Sequence, residues 1–204
     1  MDSLRGRLLV ATPAIVDGIF ERSVVYLLDH DAAVLGHEDD YGGRIFGEGA
    51  LGVIINRPLD AEVADVLPEW HGLVTAPGCL FEGGPVATDA ALAVGVLREP
   101  RRGGPADHVP PVGWRQMIDR VGLIDLDELI DDDKLQAIRV FAGYAGWAPG
   151  QLEAEVAEGS WIVVDAELGD LASTRPETLW NDVLRRQPGD LRLWSTFPPD
   201  PQLN

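Results

Sequence analysis

The chain predicts a single α/β (α+β) domain built around a mixed sheet, and three observations carry that prediction. Short apolar runs rich in valine and isoleucine recur along it, each closed by turn residues, as buried strands require. Helical patterns between them are few and short, which favours a sheet-centred fold over a bundle. At 204 residues, 46% hydrophobic and 25% charged, the chain is long enough for one domain, residues 1–204, with a substantial core.

Taken in order, Arg7 to Ala11, Ser23 to Leu28 and Ala50 to Ile55 read as strands, because β-branched and aliphatic side chains suit a pleated, buried surface. Ala61 to Leu67 reads as a short helix. Asp89 to Arg98, Arg139 to Tyr144 and Trp161 to Val164 repeat the strand pattern. The run from Glu128 towards Ile138 reads as helical, with Asp131 to Asp133 interrupting its apolar face. After Tyr144 comes a glycine-rich corner in which Pro149 opens a helix. Leu152 and Val156 of that helix face the core, and Gln151, Glu155 and Glu158 form a solvated acidic face. The best-marked helix runs from Thr174 to Gln187. Thr174 and Glu177 have capping-box spacing, Pro176 sits in the first turn, and Leu179, Trp180, Val183 and Leu184 make the buried stripe. Residues 37–49, acidic and glycine-rich, and 98–111, proline-rich and locally basic, read as exposed excursions. The tail from Pro198 to Asn204 cannot form helix.

Charge narrows the function classes. The 34 acidic against 16 basic residues leave a net charge of -18, which repels phosphate backbones and anionic membrane surfaces at long range. Arg98, Arg101 and Arg102 make the one notable basic cluster, without interleaved aromatics, so it lends little to nucleic-acid binding. No run approaches the roughly 20 apolar residues of a membrane helix, and the start lacks a signal-peptide core; a cytoplasmic protein is the expectation. Cys79, the single cysteine, permits no internal disulfide and reads as a buried, inert thiol.

The candidate sites lie at turns and strand ends. Asn56-Arg57-Pro58 puts an amide and a guanidinium at the end of a strand, and Glu82-Gly83-Gly84-Pro85 puts an acid beside bare backbone that a ligand can approach. Arg22 precedes another strand, and Asp29-His30-Asp31 after it reads as a short polar turn. The corner before Gln151 offers free N–H groups of a helix start, although without a phosphate-loop lysine it reads first as a plain joint. Trp147, between glycine and an alanine-proline helix start, reads as a partly exposed aromatic at the mouth of a concave surface, with a tryptophan wedged under the corner as a local core the equal alternative. His30, His37, His71 and His108 are scattered, and the acids from Asp125 to Asp133 lack calcium-loop spacing, so no metal and no cofactor is expected.

Several separated segments, in order, are similar to the YqgE/AlgH family: Gly6-Arg-Leu-Leu-Val-Ala-Thr-Pro13, Phe20-Glu-Arg-Ser-Val-Val-Tyr26, Gly49 to Pro58, Gly83-Gly-Pro-Val86 and Gly143-Tyr-Ala-Gly-Trp-Ala-Pro-Gly-Gln-Leu-Glu153. The resemblance implies a bacterial cytosolic protein whose sheet is strongly bent, approaching a pseudo-barrel with flanking helices. It carries no assigned chemistry; a regulatory role in alginate production is attached to the family name. Residues 37–49 look like an insertion, and 98–133 match the family poorly.

The leading expectation is therefore a non-catalytic binding or regulatory protein with a protein or small-molecule partner. Its surface would gather Arg22, Asn56, Arg57, Glu82, Gly83, Gly84, Trp147, Gln151 and Glu155. The alternative is an enzyme using Glu82 or Glu155 as general base and Arg57 to hold an anionic substrate. A DNA-binding transcriptional regulator ranks third, against the acidic net charge.

Overall fold

Strand β1 (Arg7–Ala11) forms where its sequence predicts, and Leu8 to Ala11 are fully buried. The structure is a computed structural model and describes residues 3–30, 49–99, 110–128, 130 and 132–197. β1 pairs antiparallel with β2 (Val24–His30) on one side and β10 (Trp161–Asp165) on the other. β2 continues to β3 (Ala50–Ile54), which meets the end of the long strand β9 (Leu135–Trp147).

β9 carries the rest of the sheet. It pairs antiparallel with β6 (Val86–Leu97), followed by β8 (Val121–Ile124) and β7 (Trp114–Ile118). It also runs parallel to β5 (Cys79–Glu82), whose other neighbour is β4 (Pro58–Glu62). Among the described residues the ten strands follow the order β10-β1-β2-β3-β9-β6-β8-β7, with β4 and β5 off that path. One strand shared by β3, β5 and β6, with a register shift in its ladder to β6, bends the mixed sheet into a strongly curled half-barrel.

The strands at the centre are continuous apolar runs because both of their faces are buried. Leu8, Val10, Val24, Tyr26 and Leu28 enter the main core with Trp180, Val183 and Leu184 of helix α4 (Leu179–Arg185). The alternate residues Leu9, Ala11, Val25 and Leu27 face a second cluster with Trp147, Trp161 and Leu152 of helix α2 (Gln151–Ala157). The other α-helices among the described residues are single turns, α1 (Val63–Val66), α3 (Leu168–Leu171) and α5 (Leu191–Trp194). No helix among the described residues is long and apolar enough to cross a membrane.

Several expectations are corrected. The helix expected from Glu128 towards Ile138 does not reach its end: among the described residues Asp132–Lys134 make a single 3-10 turn, and β9 begins at Leu135, because that segment completes the ladder to Leu97 and Val96. Local acidic spacing loses there to long-range pairing. Asp29 and His30 end strand β2 instead of forming a turn, with His30 buried and its Nδ1 accepting from the Leu4 amide at 3.2 Å. The Thr174 cap is also absent, since a 3-10 turn at Pro176–Thr178 precedes α4 with Arg175 at its N-cap and no side-chain cap bond. The excursion at 37–48, residues 100–109 with Arg101, Arg102 and His108, and the tail from Pro198 lie outside the described residues.

Candidate binding site

The two glycine motifs meet each other. A Cβ on Gly83 would sit 2.1 Å from the Gly143 carbonyl oxygen, and one on Gly84, whose φ is +148°, would sit 2.4 Å from the Tyr144 carbonyl. Gly143, at φ +69°, returns the contact at 2.7 Å from the Gly84 oxygen. Side chains cannot fit between backbones this close, so glycine is required on both sides. The Gly83 amide donates to Ala142 at 2.9 Å and its carbonyl accepts from Ile54 at 2.9 Å, which ties β5, β9 and β3 into one joint. Bare backbone here receives a second strand, not a ligand.

The polar candidates ring the outer side of that joint. Asn56 is a clamp: its Oδ1 accepts from the Val24 amide at 2.8 Å and its Nδ2 donates to the Arg22 carbonyl at 3.0 Å. This bond helps hold Arg22 at φ +53°, a left-handed conformation that disfavours a side chain. The Arg22 guanidinium stacks 4.1 Å above the Trp180 ring and donates to Asn181 Oδ1 and the Phe197 carbonyl at 3.0 Å each; burial pulls its pKa down. Arg57 donates from Nη2 to the Glu21 carbonyl at 2.9 Å, and its Nη1 lies 3.4 Å from Glu82 Oε2. Arg57 and Glu82 remain partly open to solvent, at 21% and 41% of their side-chain surface.

Trp147 and Glu155 form a different group. Trp147 is 6% exposed, not the open platform expected, because Phe20 stacks on it at 6.2 Å and Trp161 meets its edge at 6.0 Å. Glu155 turns inward from the predicted acidic face. Its Oε2 accepts both indole N–H groups, from Trp147 and Trp161, at 2.8 Å each, and its Oε1 accepts from Gln151 at 2.9 Å. A carboxylate so occupied is a fastener for two tryptophans, and its lone pairs are already committed. Gln151 also accepts from the Ala148 amide at 3.0 Å, closing the helix start that an anion would need.

The loop from Thr12 to Ser23 joins the two groups. Phe20 lies against Trp147, Glu21 bonds Arg57, and Arg22 bonds Asn56, so three consecutive residues pin the corner to the strand end. Phe20 and Glu21 were not among the candidates, although both stand in the segment from Phe20 to Tyr26 that resembles the family. Arg139 was missed as well; an arginine in the middle of an apolar strand was the available signal. Chemically, the set offers one accessible charged pair, Arg57 with Glu82, on a rigid joint. The loop carrying Glu21 also exposes Val16 at 77% and Ile19 at 41%.

Comparisons with known proteins agree with this architecture. A family described as AlgH-like matches residues 8–192. A UPF0301 protein of Streptomyces coelicolor is 49% identical over 207 residues, covering 100% of this chain and 97% of its own, and one of Thermobifida fusca is 42% identical over 99% and 96%. The crystal structure of a protein from Corynebacterium diphtheriae superposes with a TM-score of 0.76 at 32% identity, covering 95% of this chain and 92% of that one. The solution structure of the AlgH protein from Pseudomonas aeruginosa shares the fold, with a TM-score of 0.59 at 22% identity over 98% and 96% of the two chains. The segments that build the glycine joint and its clamps lie within the matched span, and the chain belongs to the AlgH-like family.

Proposed function

We propose that this single-domain protein acts in the cytoplasm as a non-catalytic binding or regulatory protein, meeting a protein or small-molecule partner on the rim made by Arg57, Glu82 and the loop from Thr12 to Ser23. The observation that carries this reading is the Arg57–Glu82 pair, partly exposed and mounted on a joint whose backbone is fixed from three strands, beside a loop that exposes Val16 and Ile19. Charged groups framed by apolar surface on a rigid support favour recognition. Asn56, Gly83, Gly84, Trp147, Gln151 and Glu155 serve that surface by holding it in shape, and Arg22 does so through Trp180.

The test is a thermal-shift screen of metabolites, nucleotides and short acidic and basic peptides, repeated on Arg57→Ala and Glu82→Ala. A ligand that binds the rim raises the parent's melting temperature through mass action and loses that effect in both variants. Equal stabilisation of all three proteins would put the site elsewhere. Direct DNA binding is separated by a gel-shift titration at two salt concentrations; a tight complex that weakens steeply with salt would overturn the protein or small-ligand reading.

A further inference from the structure

Arg139 lies in the middle of β9, on the face that sends Ala137 and Phe141 into the main core, and is 2% exposed. Its guanidinium rests 4.0 Å above the Phe81 ring, and Nη2 donates to the carbonyls of Ala76 at 3.3 Å and Ser173 at 2.9 Å. Nε and Nη1 are buried with no hydrogen-bond partner, and no carboxylate among the described residues pairs with this cation. A buried guanidinium with N–H groups to spare and no counter-ion is costly, and such groups in native folds call for a reason.

The surroundings supply one. Cys79, in β5 two residues before the Phe81–Phe141 register, is 8% exposed, and its pKa is pushed up, first by burial with Glu62 adding to the rise, while the Arg139 charge opposes it. Beside it a Cβ on Gly78 would fit at ordinary contact distances, 3.8 Å from Oε2 of the exposed Glu62 and 4.0 Å from Val74 Cγ2. Burial brings the Arg139 pKa down to about 10, so the group keeps its charge at neutral pH. A carboxylate at the rim repels a doubly charged visitor more than a singly charged one.

We propose that Arg139, with Cys79 beside it, is a binding site for a small oxyanion of single charge, a carboxylate ahead of a phosphate, seated between β5, residues 75–78 and the loop after α3. The ligand accepts from the spare N–H groups of Nε and Nη1 and supplies the missing counter-charge. This site stands apart from the Arg57–Glu82 rim, and either can fail without the other.

The probes are sodium acetate and sodium phosphate, each against sodium chloride at equal ionic strength, on protein carrying 15N-arginine. The Arg139 Nε–H resonance, assigned through bonds to its own side chain, is expected to move saturably with acetate. Alkylation of Cys79, the sole cysteine, should slow with the same midpoint, about tenfold at ten times that concentration, as mass action leaves the free fraction. Arg139→Lys, where it folds, should lose both responses. Saturation by phosphate and not by acetate would overturn the single-charge preference. No saturable change with either anion would overturn the site.

Discussion

Replacing Glu155 by alanine removes one carboxylate and strands two indoles. Trp147 and Trp161 are both almost fully buried, and each donates its N–H to the same Oε2 at 2.8 Å. A hydrogen bond to a charged group contributes about 1.5–3 kcal/mol, and a buried donor left without a partner keeps most of that as a penalty. Because the two bonds share one oxygen they are not additive. A loss of about 3–4 kcal/mol follows, or roughly 6–16 °C in melting temperature for a chain of this size. The exposed bond from Gln151 adds little. Glu155→Gln keeps an uncharged acceptor and should cost about half as much. Urea unfolding followed by tryptophan fluorescence and circular dichroism measures both, provided the slope with denaturant is unchanged. A Glu155→Ala protein within about 0.5 kcal/mol of the parent would refute the fastening role. A more stable one would point instead to a carboxylate held for catalysis at the expense of stability.

Other outcomes follow from the same contacts. Gly83→Ala sets a methyl against the Gly143 carbonyl at a nominal 2.1 Å, in a joint fixed by strands on both sides, and should cost about 3 kcal/mol or prevent folding; chemical denaturation checks it, and a neutral result would mean the joint opens freely. Tyr26 is pushed up to about 12, first by burial and then by Asp119 and Asp170. Its folded pKa stands above the ordinary value of about 10, so its contribution to stability is complete below pH 10 and is lost as pH rises through 12. Urea midpoints across that alkaline window should fall less steeply in Tyr26→Phe than in the parent.

Much of the fold was legible because its central strands are buried on both faces. Leu8 to Ala11 and Val24 to Leu28 have no charged residue to place, so an unbroken apolar run admits one reading. What escaped was non-local. Leu135 to Ile138 carry a helix-compatible pattern until β6 pairs with them, and nothing nearby in sequence reveals that partner. Trp147 lacks apolar neighbours in its own segment; Phe20 and Trp161 provide them from elsewhere. The motifs Gly83-Gly84 and Gly143 were each visible as permissive backbone, yet that they are permissive for one another emerges only when β5 lies parallel to β9. Glu155, spaced for a solvated face, turns inward because two indoles need an acceptor.

The rim reading is tested most directly by calorimetric titration of a ligand found in the thermal-shift screen against the parent, Arg57→Ala and Glu155→Gln. Arg57→Ala removes a partly exposed ion pair, so it should change stability by no more than about 1 kcal/mol while weakening the ligand tenfold or more. Glu155→Gln should bind the ligand as the parent does at temperatures where it is folded. Parent-like affinity in Arg57→Ala, or conversion of the ligand to product that stops in Glu155→Gln, would contradict binding at the Arg57–Glu82 rim.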